Sequence, residues 1–131
     1  MVWLTKRPSN KGPCFERAGL RGCLFDSVWV DGANFCDADL TSAAFDGCHL
    51  NGASFRNTKA RDALFVAADM RKADFSNASL VGSNLAEADL TGAKLDDVDL
   101  TDANLRGAKI KDRRRSYCRR KWLFVIFLYV C

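Results

Sequence analysis

Between positions 86 and 105 the chain reads AEADLTGAKLDDVDLTDANL, with leucine at every fifth residue: 90, 95, 100 and 105. Spacing by five suits neither a helix, whose apolar stripe needs steps of three and four, nor a strand, which alternates in twos. On a helix such leucines would spiral around the axis, and on a strand they would change face at every step. The pattern asks for a backbone in which every fifth residue returns to one inward direction. It runs through every multiple of five from Phe15 to Ile110, 20 positions at which Ala60 is the single small residue. A second phase lies two places before each centre, where 13 of the 20 residues are Ala and the others are Pro13, Cys23, Val28, Cys48, Thr58, Ser83 and Val98. A third lies two places after, where Gly22, Gly32, Gly47, Gly52, Gly82, Gly92 and Gly107 recur beside Asn57 and Asn77. Gly and Asn tolerate the positive φ that the third residue of a type II turn requires, so each unit predicts a large inward residue, a small inward residue and a tight corner.

Units such as ADLTS, ADFSN, ADLTG and ANLRG carry an A(D/N)LXX signature, and in this the chain resembles the pentapeptide-repeat family. The resemblance covers residues 13–112, 100 of the 131. It implies an all-β fold, a right-handed quadrilateral β-helix in which four units make one square coil. The period by itself implies only a solenoid. At four units per coil the repeats make about five coils, a rod roughly 24 Å long at the ~4.8 Å strand spacing. Residues 20 apart then share a column. Face one carries Phe15, Phe35, Phe55, Phe75 and Leu95, and face two carries Leu20, Leu40, Ala60, Leu80 and Leu100. Face three carries Phe25, Phe45, Phe65, Leu85 and Leu105, and face four carries Val30, Leu50, Met70, Leu90 and Ile110. Ala60 predicts a locally thin core or neighbours that lean in.

The register divides the chain into an N-terminal flank (1–12), the repeats (13–112) and a C-terminal tail (113–131). Charge divides with it. The formal net charge of +4 hides repeats with 11 Lys/Arg against 16 Asp/Glu, a balance of −5, and flanks that hold the nine remaining basic residues. The start of the chain has no apolar stretch long enough for a secretory signal, so a cytoplasmic protein is the expectation. In the tail, Arg113, Arg114, Arg115, Arg119, Arg120 and Lys121 precede the apolar run from Trp122 to Cys131, which includes Phe124 and Phe127. Ten residues of helix span about 15 Å, half a ~30 Å bilayer core, so this run does not cross a membrane alone. Three readings compete: a cap over the open end of the solenoid, a membrane-surface anchor with Cys118 as an acylation site, and the stump of a longer segment.

Little in the repeats points to catalysis. His49 is the single histidine and lies at an outward position, so nucleophilic catalysis lacks its usual base. Asp96, Asp97, Asp99 and Asp102 crowd one corner and could attract a cation, but the better reading is the ordinary Asp of the repeat, whose side chain bonds nearby backbone N–H groups. The six cysteines form no metal-binding pair. Cys23 and Cys48 take inward small positions, whereas Cys14 and Cys36 face outward in adjacent coils. No enzyme, cofactor or metal is expected.

Two surfaces stand out as binding candidates. On face three the residues before the centre are Leu24, Ala44 and Leu64, with Val66 just after Phe65 and Trp29 nearby on face four. Those columns are polar elsewhere, and an apolar strip of this kind marks a site for a protein partner or a second copy. Arg56, Lys59, Arg61, Arg71 and Lys72 form a basic band around the third coil. The first functional reading is therefore a non-enzymatic interaction or scaffold module, and the second a membrane-peripheral protein held by its tail. Some members of the family it resembles mimic DNA to inhibit topoisomerases. That requires a regular array of negative charge, and face two runs Gly19, Asp39, Lys59, Ser79, Asp99. Mimicry is disfavoured, and nucleic acid is not an expected partner.

Overall fold

Every five-residue unit turns one corner and hands its backbone to the coil above. The computed structural model describes residues 11–111. Among them, 16 isolated parallel bridges each join residues 20 apart, from Cys14 with Asn34 to Asp89 with Lys109. The unit centred on Phe35 shows the hydrogen-bond accounting. Phe35 N–H donates to Ser54 C=O at 2.7 Å and Asp37 N–H to Arg56 C=O at 2.9 Å, both upward. Asn34 N–H donates downward to Pro13 C=O at 2.9 Å, and Ala38 N–H closes the turn on Phe35 C=O at 3.1 Å. Four of the five N–H groups are thus satisfied by backbone, which leaves one, at Cys36, for a side chain.

The corners are type II turns with positive φ at the third residue. Gly32 stands there at 68°, as the glycine phase predicts, but Ala67 at 56° and Lys72 at 58° hold the same conformation without glycine's freedom. Because the side chains at those corners point outward, composition can drift there at a modest conformational cost.

Inside, like stacks on like. Phe35, Phe55 and Phe75 form a pile with ring centroids 5.0 and 4.6 Å apart and planes within 8° and 2°. Phe25, Phe45 and Phe65 form the opposite pile at 4.7 and 5.2 Å. The piles meet edge to face, as in Phe45 against Phe55 at 6.2 Å and 86°. Offset stacks and T-shaped pairs both suit the ring quadrupole. Phe35, Phe45, Phe55, Phe65 and Phe75 are fully buried, while Phe15 and Leu20, at the first coil, are partly open. Ala60 is buried between Leu40 and Leu80, which are closed off as completely as the other centres.

The small inward positions that are not Ala differ in how they satisfy their polar atoms. Thr58 Oγ1 donates to Phe35 C=O at 2.8 Å, and Cys48 Sγ donates to Phe25 C=O at 2.6 Å. Burial pushes the Cys48 thiol up to about 11. Ser83 Oγ, equally buried, has no hydrogen-bond partner. Cys23 is half-buried against the core, and the four described cysteines, Cys14, Cys23, Cys36 and Cys48, are free thiols.

Candidate docking surface

The fifth N–H of each unit decides which residues may stand on the outer surface. It belongs to the residue just after the centre. Where an Asp or Asn stands just before the centre, it takes that N–H: Asn34 accepts from Cys36 N–H at 3.0 Å, Asp39 from Thr41 at 3.1 Å, and Asp74 from Ser76 at 3.0 Å. Asp69, Asn84, Asp89, Asp99 and Asn104 do the same. This is the physical content of the (D/N) in the repeat, and it gives Asp99 a structural role at its corner. Among the described residues, no group of three or more His, Cys, Asp or Glu side chains is placed to hold a metal ion.

Face three breaks that rule in a compensated way. Ala44 and Leu64 stand where Asp or Asn would, and neither can accept a hydrogen bond. A carboxylate from the coil below acts instead. Asp26 Oδ1 accepts from Asp46 N–H at 3.2 Å, and Asp46 Oδ1 from Val66 N–H at 2.7 Å. His49 on face four is served likewise, since Asp31 Oδ1 accepts from Asn51 N–H at 2.8 Å. Ala44 and Leu64 are thereby relieved of capping duty. These relay carboxylates escaped the sequence reading. Their signal was a pairing 18 residues apart, Asp26 with Ala44 and Asp46 with Leu64, which has meaning only once the 20-residue column is known.

The strip itself differs from expectation. Leu24 is 79% exposed and Leu64 39%, but Ala44 between them is buried at 6%. Val66 is half-buried. Ala44 is therefore the floor between two leucines rather than part of an open band: its side chain is short, and its longer neighbours above and below shield it. Trp29 is 54% exposed and lies over the His49 ring at 4.2 Å. It sits one corner away from Leu24, in the same coil.

The basic band does not join this surface. Arg56 lies on face one, Lys59 and Arg61 on face two, Arg71 and Lys72 on face four. Its arginines are also paired. Arg71 grips Asp69 through two bonds of 2.8 and 2.7 Å, Arg56 reaches Asp74 at 3.9 Å and Arg61 reaches Asp62 at 3.6 Å. The Arg71 guanidinium holds the Asp69 carboxyl below its ordinary value. The Asp39 carboxyl is held low chiefly by the Thr41 hydroxyl, and that of Asp99 by Thr101. For Asp74 burial works upward, but the Ser76 hydroxyl and amide with Lys94 and Arg56 outweigh it. The tail residues from Arg113 to Cys131, with both the cap and the membrane readings, lie outside the described residues.

Comparison with known proteins agrees with this architecture. The family model described as "Pentapeptide repeat region" matches residues 38–116, and "Pentapeptide repeats (8 copies)" matches residues 18–57. The crystal structure of a pentapeptide repeat protein from the Arabidopsis thaliana thylakoid lumen is similar with a TM-score of 0.76 and 30% identity, over 86% of this chain and 78% of that one. HetL, a pentapeptide repeat protein involved in heterocyst differentiation regulation in the cyanobacterium Nostoc sp. strain PCC 7120, is similar with a TM-score of 0.75 and 27% identity, over 79% of this chain. The match spans about half of HetL, 49% of its length. No curated protein sequence matches the chain significantly.

Proposed function

The chain belongs to the pentapeptide-repeat family and folds as a right-handed quadrilateral β-helix, and on that premise we propose that it is a non-enzymatic interaction or scaffold module that docks a protein partner on face three. One observation carries the reading. Leu24 and Leu64 are the large apolar side chains exposed in one column, and at Ala44 and Leu64 the carboxylates of Asp26 and Asp46 have taken over the hydrogen bonds that an Asp or Asn there would make. An exposed apolar strip that the fold does not need is best explained by something that covers it. Trp29 extends the same surface around the corner, and aromatic anchors of this kind dominate protein interfaces. The basic band, spread over other faces and mostly paired, offers at most a second and weaker contact. The alternating charge along face two supports neither DNA mimicry nor nucleic-acid binding. The free described thiols support a reducing, cytoplasmic setting.

The test is capture from native lysate by full-length chain, comparing wild type with Leu64→Asp and with Lys59→Ala on face two. The reading expects partners that disappear with Leu64→Asp and persist with Lys59→Ala. Identical partners on all three, with the fold intact, would refute it.

A further inference from the structure

We infer that the partner of face three presents an apolar side chain flanked by Lys or Arg, an inference that rests on face three being the docking surface. The apolar half of this follows from Leu24 and Leu64. The cationic half follows from the carboxylates beside them. Asp26 and Asp46 stand one above the other in a single column, separated by about one coil rise of ~4.8 Å. Asp39, Asp62, Asp69 and Asp74 each have an Arg or Lys within ion-pair distance. Asp26 and Asp46 have none among the described residues. Each gives Oδ1 to a backbone N–H of the coil above, and the second oxygen of each makes no hydrogen bond among the described residues.

Stacked carboxylates without a counter-charge repel one another, and a guanidinium or ammonium brought in by a partner relieves that repulsion. An Arg fork is wide enough to meet both. Arg21 and Arg61, on the adjoining face two, are engaged by Asp39 and Asp62. The same reasoning weighs against other occupants. A two-fold dimer through face three would bring four of these carboxylates into one small patch. An anionic lipid surface or an acidic peptide would meet like charge. What remains is a cationic segment with an apolar anchor. The string RRKWLF at 119–124 of this chain is of that chemical kind and serves as a probe.

Fluorescence anisotropy of a labelled RRKWLF peptide against the full-length chain tests the inference, with EEEWLF and QQQWLF as charge controls. The expected order is RRKWLF tightest by about ten-fold, with the preference shrinking as salt is raised. Asp26→Asn and Asp46→Asn keep the capping oxygen and remove the charge. Together they should erase the preference for the basic peptide while leaving the unfolding midpoint in place, and Leu64→Asp should abolish binding of all three. Equal, Leu64-dependent binding of the three peptides would overturn the cationic partner and leave face three as the docking surface. So would a concentration-dependent dimer in sedimentation equilibrium that Leu64→Asp dissolves. The absence of peptide binding alongside Leu64-dependent capture from lysate would overturn the inference alone; the absence of both would overturn the docking surface too.

Discussion

Asp46 Oδ1 accepts the backbone N–H of Val66, 2.7 Å away and one coil above. The carboxylate of one unit thus completes the hydrogen bonding of another 20 residues later, because Leu64 cannot. If that bond is structural, Asp46→Ala leaves a half-buried N–H without a partner and lowers stability by about 1 kcal/mol. Asp46→Asn, which keeps the acceptor, should change stability by a few tenths of that. Urea denaturation followed by circular dichroism reads both. Equal losses would show that the charge, not the hydrogen bond, matters.

Phe45 lies in the middle of the face-three pile, between Phe25 and Phe65, and is fully buried. Phe45→Ala should cost about 3–5 kcal/mol, the range for an aromatic lost from a closed core. An unfolding midpoint like that of the wild type would contradict the stacked core.

Thr58 and Ser83 occupy the same inward phase with opposite fortunes. Thr58 Oγ1 reaches Phe35 C=O, so Thr58→Val should destabilise by about 1 kcal/mol. Ser83 Oγ is buried without a partner, so Ser83→Ala should stabilise by about the same amount. A destabilised Ser83→Ala would mean that the hydroxyl has an acceptor after all.

Acid should weaken the fold. The carboxyls of Asp39, Asp69, Asp74, Asp89 and Asp99 all titrate below their ordinary value in the folded chain. A carboxylate so depressed contributes stability above its unfolded value near ~3.9 and loses that contribution as pH falls through the folded value. Stability should therefore be flat from about pH 7 to 5 and fall below about pH 4. A urea midpoint that stays constant down to pH 3 would count against the Asp caps as stabilising bonds.

How much of this was legible beforehand depended on range. The five-residue period marks the inward positions, and the resemblance to the pentapeptide-repeat family implies the β-helix and its four faces, so Phe35, Phe55 and Phe75 could be placed together from their numbers. What depended on neighbours in other coils was hidden. Ala44 reads as an open apolar position, but its exposure is set by the side chains of the coils above and below. Arg56 reads as a free cation of a basic band, yet its partner Asp74 is 18 residues away in the next coil. Asp26 and Asp46 look like ordinary surface acids until each N–H of face three is counted. The 20-residue column places Trp29 below His49, but nothing in the period predicts that aromatic rings stand there, since the outward columns follow no rule beyond the Asp or Asn cap.

The central claim is that Leu64 is on the surface for binding and not for folding. The direct measurement is the pair of urea midpoint and RRKWLF affinity for full-length wild type and Leu64→Asn, which restores the repeat's own residue at that position. The account predicts a midpoint unchanged or raised, because Asn can cap Val66 N–H from within its own unit, and an affinity reduced by about ten-fold. A lowered midpoint with undiminished affinity would contradict it.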